Sequence, residues 1–259
     1  MYDNILYEIT DGVVRITLNR PQVYNALSPG LLKDITRAVQ EAGADDTVRV
    51  VVITGTGDKA FCAGADLKAG TGDATGLGES LRQNYNPMIL AIRNIPKPVI
   101  CRLNGVAAGA GCSLALACDL VIASEDAYLS QIFINIGLMP DAGSTFFLPR
   151  LIGMHKAFEL ASTARRVYAP EAVAIGLIHK SVPASELDME LYETTNYYRH
   201  APTKAIGAMK QIFNQSMYSS LEQMLELEAE RQESLSHTND AAEGVMAFLQ
   251  KRKPVYRGK

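Results

Sequence analysis

The stretch Val48-Arg-Val-Val-Val-Ile53 constrains this chain more than any other. A half-exposed strand alternates apolar and polar residues, and this one does not. Both of its faces must therefore be covered by other parts of the protein. Residues 99–103 and 120–123 read the same way. Between these runs lie a helical pattern over 80–95, closed by Pro96 and Pro98, and a small-residue helix over 109–118. Strand, turn, helix and strand follow one another in repeated β-β-α turns, which predicts an α/β fold around a buried sheet.

The flanking segments have their own signals. Asp11-Gly12 separates strand-like 5–9 from the alternating Val14, Ile16 and Leu18, a hairpin pattern. Ser28-Pro29 opens a helix through about residue 42, with Ser28 as N-cap. Gly70, Gly72, Gly76 and Gly78 make 69–79 a flexible loop. From about residue 142 the chain is mostly helical, with one short strand near 178–182. Residues 202–250 read as three amphipathic helices. Leu221, Met224 and Leu225 stripe one face there and Glu222, Glu226 and Glu230 the other. Such an end packs on its own core or on neighbouring subunits.

At 259 residues the chain is long enough for one large domain, or a domain with a helical appendage. A net charge of −3 leaves no broad footprint for nucleic acid. No apolar run is long enough to span a membrane, and no signal-peptide pattern opens the chain, so a cytoplasmic location is expected. Cys62, Cys101, Cys112 and Cys118 form no CxxC pair and lie among apolar or small residues, so buried free thiols in a reducing compartment are expected. His155, His179, His200 and His237 are scattered, and no GxSxG, GKS/GKT or HExxH element is present.

Three segments have the residue types for chemistry. In Lys59-Ala-Phe-Cys-Ala-Gly-Ala-Asp-Leu-Lys68, small residues let a ligand approach the backbone, and Lys68 stands where a phosphate-bearing ligand would pass. A plain tight turn fits that spacing equally well. Asn104-Gly-Val-Ala-Ala-Gly-Ala-Gly-Cys-Ser113 leads into a helix, whose free N–H groups favour an anion. Close helix–strand packing is the alternative there. Its glycines do not make a dinucleotide fingerprint. In the third segment, Asp141 stands among apolar and small residues. Buried, it would have a raised pKa and serve as base and then acid. Otherwise it would cap a helix over 142–150.

Together these segments resemble the crotonase superfamily, the enoyl-CoA hydratase/isomerase family. The resemblance rests on Leu18-Asn-Arg-Pro21 with Asn25-Ala-Leu27, on 60–68, on Lys97-Pro-Val99 with 104–115, on 137–150, and on 243–249 with Lys251-Arg252. It runs over essentially the whole chain. It implies a spiral of β-β-α turns over residues 1–195, holding the CoA and acyl sites. It also implies a C-terminal helical trimerisation region over 196–259, giving a homotrimer or a homohexamer of two trimers. The implied ligand is an acyl-CoA substrate lying along Ala63, Ala65, Asp66, Leu67, Lys68 and Ala110. The N–H groups of Ala65 and Ala110 would form an oxyanion hole, with no metal and no separate cofactor.

Hydratases of this family hold two glutamates over the substrate double bond. The corresponding residues here are Ser113 and Phe133. An acid after Leu-x-Pro, as in Leu138-Met-Pro-Asp141, looks like the ring-epoxide isomerases of phenylacetate degradation, as do Ala107-Ala-Gly-Ala-Gly111 and Leu148-Pro-Arg150. The expected activity is therefore an acyl-CoA isomerase with Asp141 as acid/base. The alternatives are an enoyl-CoA hydratase, an aryl-CoA dehalogenase using Asp141 as nucleophile, and a non-catalytic CoA-binding homologue. The absence of tryptophan lowers the dehalogenase.

Overall fold

The computed structural model describes residues 2–259. Strands β1 (Ile5–Thr10) and β2 (Val13–Leu18) form the expected antiparallel hairpin. Asp11 and Gly12 both take positive φ at its tip, the conformation a two-residue turn requires. Helix α1 (Pro29–Ala44) starts at Ser28, whose hydroxyl accepts the Leu31 N–H at 3.3 Å. It buries Leu31, Leu32, Ile35, Ala38, Val39 and Ala42 along one face, at helical spacing.

Three β-strand pairs then wind the spiral: β3 (Val50–Gly55) with β4 (Ala60–Cys62), β5 (Val99–Leu103) with β6 (Val106–Ala108), and β7 (Leu120–Ser124) with β8 (Tyr128–Ser130). The first of each pair joins a six-stranded sheet and the second a four-stranded one. Between β4 and β5, α2 (Leu77–Ser80) runs through a π-helical turn, Leu81–Tyr85, into α3 (Asn86–Asn94). Helix α4 (Ala110–Ala117) joins β6 to β7.

The apolar run at β3 is explained by cover on both sides. Val51 and Ile53 join the main core with residues of α1, α3 and α4. Val50 and Val52 pack with Ile100, Ile122 and Val182 against Leu187 and Leu191. Those two leucines come from α7 (Leu187–Arg199).

Helix α5 (Ser144–Thr163) is broken at Gly153, which adopts φ 75° and ψ 162°. After β9 (Val167–Tyr168) and α6 (Ala169–Ala174), β10 (Lys180–Val182) closes the edge of the large sheet beside β7. Helix α7 (Leu187–Arg199) covers that sheet's outer face. The expected three terminal helices are α8 (Thr203–Ser216), α9 (Leu221–Ser236) and α10 (Asn239–Leu249). α8 is tied down by buried Lys210, which donates to the Ile92 carbonyl and pairs with Asp119 at 2.7 Å. On α9 only Met224 of the apolar stripe is buried, while Leu221 and Leu225 face outward. Among the described residues, no helix is long and apolar enough to cross a membrane.

Candidate active site

The first and second strand pairs bring the two glycine-rich segments side by side. Parallel pairing of β4 with β6 sets 60–62 beside 106–107. Their continuations then touch so closely that only glycine fits. A Cβ on Gly111 would lie 2.3 Å from the Cys62 carbonyl oxygen, and one on Gly64 would lie 2.7 Å from that of Ala108. Gly64 also takes φ +98°. Both alternatives open from spacing alone, tight turn and close packing, are therefore real features of these segments.

They also leave particular N–H groups free. The Leu27 N–H donates to the Gly64 carbonyl at 2.7 Å, and the Asp66 N–H to the Leu27 carbonyl at 3.0 Å. This is a parallel bridge between Leu27 and Ala65, so the Ala65 N–H points the other way. Ala110 opens α4, where N–H groups lack helical partners. Neither the Ala65 nor the Ala110 N–H meets a backbone acceptor among the described residues.

Asparagines hold the approach to this corner. Asn25 donates to the Ala60 carbonyl at 3.0 Å, and Asn104 donates to the Gly57 carbonyl at 2.6 Å. Asp66 is spent on its own turn. It pairs with Arg20 at 2.8 Å and accepts the Lys68 and Ala69 N–H groups at 3.2 Å each. The Arg20 hydrogen bond, above all, holds its carboxyl below the usual range. With its N–H also paired, Asp66 shapes the turn and offers a ligand neither group. Ala65, Leu67 and Lys68 lie exposed beyond it, and Ala63 is half-buried.

Asp141 does not cap α5. The helix begins at Ser144 with Gly143 at the cap and no side-chain cap bond. Two left-handed residues, Ala142 (φ 47°) and Gly143 (φ 86°), stand between Asp141 and the helix. They turn the carboxyl away from the helix N–H groups. Its Oδ1 is buried and has no hydrogen-bond partner. Burial raises its pKa from 3.8 to about 6.

Ser113 fixes where that acid sits. Its hydroxyl donates to the Asp141 carbonyl at 3.0 Å and lies 2.7 Å from the Ser144 hydroxyl. Ser113 follows Ala110 by three helical residues, an axial rise of about 4.5 Å. Asp141 is thereby pinned to α4 within about one turn of the free Ala110 N–H. Phe133 is buried in the same core, and Gly109 approaches its ring. Neither Ser113 nor Phe133 has a group free to bind and activate water.

No motif in the sequence marks Tyr85 as a site group. It ends the π-helical turn, and burial, then the charge of Asp141, raises the pKa of its hydroxyl. π-turns cluster at functional sites, but nothing in a single sequence marks one. All four cysteines are free and buried, and burial pushes Cys62 and Cys112 up to about 12. No cluster of metal-binding side chains occurs among the described residues.

The sequence model of the enoyl-CoA hydratase/isomerase family matches residues 8–259. The chain belongs to that family. A Rhodobacter capsulatus member named "Probable enoyl-CoA hydratase" is 41% identical over 258 residues, covering 100% of this chain and 99% of its own. The 1,2-epoxyphenylacetyl-CoA isomerase of Escherichia coli is 37% identical over 263 residues, covering all of both chains. The crystal structure of an enoyl-CoA hydratase from Bacillus anthracis superimposes with a TM-score of 0.93 at 36% identity, covering 99% of this chain and 100% of the other. The crotonase fold read from the sequence is thus the fold of this family member.

Proposed function

We propose that this enoyl-CoA hydratase/isomerase family member is an acyl-CoA isomerase, moving a double bond or rearranging a ring epoxide. One observation supports it above the rest: Asp141, pinned to α4 within about one turn of the free Ala110 N–H, is half-buried with an unpartnered, buried Oδ1 and a pKa raised to about 6.

The thioester oxygen accepts from the Ala65 and Ala110 N–H groups. That polarises the carbonyl and acidifies the neighbouring C–H. Asp141, ionised at neutral pH, takes that proton and leaves an enolate whose oxygen the same donors stabilise; one such donor is worth about 3 kcal/mol. The protonated Asp141 returns a proton to the carbon two bonds further along, and the double bond moves. One carboxyl serves both steps, so a second acid is not required. Coenzyme A enters only as part of the substrate. Its chain would run along Ala63, Leu67 and Lys68, with the Lys68 ammonium available to a phosphate. The outward-facing apolar residues of the terminal helices, among them Phe213, Leu221, Leu225 and Phe248, suit a self-associating surface, and a trimer or hexamer is proposed.

The second reading is a hydratase, favoured by the name of the Rhodobacter relative. The two separate in one assay set. A 3-enoyl-CoA converted to its conjugated 2-enoyl isomer, with crotonyl-CoA barely hydrated, supports the isomerase. Hydration of crotonyl-CoA at about 10 turnovers per second or more overturns it. A wild-type protein indistinguishable from Asp141→Asn in every assay would instead indicate a CoA-binding homologue.

A further inference from the structure

At the opposite end of the parallel strands from Ala65 and Ala110 lies a second cleft, of about 610 Å³. Arg49 and Lys97 reach it from just before or at the starts of β3 and β5. Lys204 comes from the first turn of α8, Arg231 from α9 and Lys259 from the C-terminal segment. The one acidic side chain in its wall is Asp46. Five positive side chains thus share its wall with one carboxylate. None of the five cations forms a salt bridge with a described residue; Lys97 instead donates to the Ala42 and Asp45 carbonyls.

Two polar atoms in this wall are left over. Thr203 Oγ1, on a residue only 7% exposed, has no hydrogen-bond partner, and neither has Arg49 Nε. The rest of the Arg49 guanidinium is engaged, donating to the Ala201 carbonyl at 2.6 Å and packing on Gly258. Orphaned buried donors are rare in folded proteins and signal a missing partner. Here both belong to residues that line one cleft, beside the ammonium groups of Lys204 and Lys259 and the Arg231 guanidinium. The start of α8 at Thr203 adds the positive end of a 14-residue helix.

We propose that this cleft is a binding site for a phosphate group, either the free ion or a small phosphomonoester. A phosphate oxygen would accept from Thr203 Oγ1 once that side chain rotates toward the cleft, while Lys204 and Arg231 close over it from the two helices. Bound there, it would tie α8 and α9 to the strand starts and so fasten the terminal helices to the core. Nothing in this proposal depends on the reaction at Asp141.

Thermal unfolding of the full chain tests it with inorganic phosphate as the probe, against chloride at matched ionic strength. Wild type is expected to gain about 3 °C or more at saturating phosphate. Lys204→Ala/Arg231→Ala is expected to lose that gain while keeping acyl-CoA turnover. Lys68→Ala, at the other end of the molecule, is expected to retain it, which separates this site from the one proposed for coenzyme A. A nucleoside monophosphate giving a larger gain at equal concentration identifies a phosphomonoester ligand; an equal gain identifies the free ion. No gain in wild type, or a gain that survives the double substitution, overturns the proposal.

Discussion

Replacing Asp141 with Asn is expected to damage catalysis and to remove a pH-linked part of stability at the same time. Loss of a positioned acid/base costs about 10²- to 10⁴-fold in turnover. The stability effect follows from the unpartnered, buried Oδ1. In the folded protein this carboxyl titrates at about 6, against an ordinary 3.8. The folded state therefore holds the proton more tightly than the unfolded chain does. Wild-type stability rises as pH falls from about 6 toward about 4 and is flat above that window. The full shift corresponds to ~3 kcal/mol at ~1.4 kcal/mol per pH unit. Asp141 is only half-buried, and solvent screening reduces that to about 1–2 kcal/mol. Asn cannot titrate, so this portion vanishes in the variant. The assay is urea unfolding of both proteins at equal protomer concentration, near pH 8 and near pH 4.5. The difference between wild type and variant should move by about 1–2 kcal/mol in favour of wild type at the lower pH. A difference that stays constant, or moves the other way, refutes the claim that burial raises this carboxyl.

Other expectations follow from the same site. The pH profile of kcat/KM should fall on the acid side with a midpoint near 6, as Asp141 takes up its proton, and any residual activity of Asp141→Asn should lack that limb. Gly111→Ala would force a methyl group within 2.3 Å of the Cys62 carbonyl, spreading the two turns apart; activity should drop at least about 100-fold, measured beside circular dichroism to confirm folding. Ala142→Gly should relieve a left-handed alanine worth about 1 kcal/mol and raise Tm by about 2–4 °C, read by calorimetry. Ser113→Ala would strand the buried Ser144 hydroxyl, while the Asp141 carbonyl keeps the Ser144 N–H; about 1–3 kcal/mol of stability should be lost in denaturant unfolding.

The large sheet was legible because its central strands are covered on both faces, and such strands write unbroken apolar runs. β4, β6 and β8 were not legible as strands. Each is three residues long, too short to show an alternating pattern, and β6 consists largely of alanine, a poor strand former. Their pairing comes from the spiral bringing them together, which is a tertiary cause. The two small-residue turns were recognisable as places of close approach, and glycine's lack of a Cβ is the reason. What the approach leaves free, the N–H groups of Ala65 and Ala110, depends on the bridge at Leu27, which spacing does not reveal. Asp141 shows the converse. An acid shortly before a helix satisfies the capping pattern, and cap and acid/base were both open. Two left-handed residues decided between them, and one of these is an alanine, which lacks glycine's freedom to adopt that conformation.

The two unpaired donors at the glycine junction belong to peptide bonds, and every residue except proline supplies the same N–H. Substituting the side chain of Ala65 or Ala110 therefore leaves the donor in place, as long as Gly64 and Gly111 keep the turns in contact. The side chains around that corner are under no such restraint. A lineage can exchange a carboxyl for the hydroxyl of Ser113 or the ring of Phe133, or move its acid to the position of Asp141, without rebuilding the grip itself. A scaffold of this kind separates what is inherited from what is free to vary, and a family sharing one such corner can diverge in chemistry through a few surrounding positions.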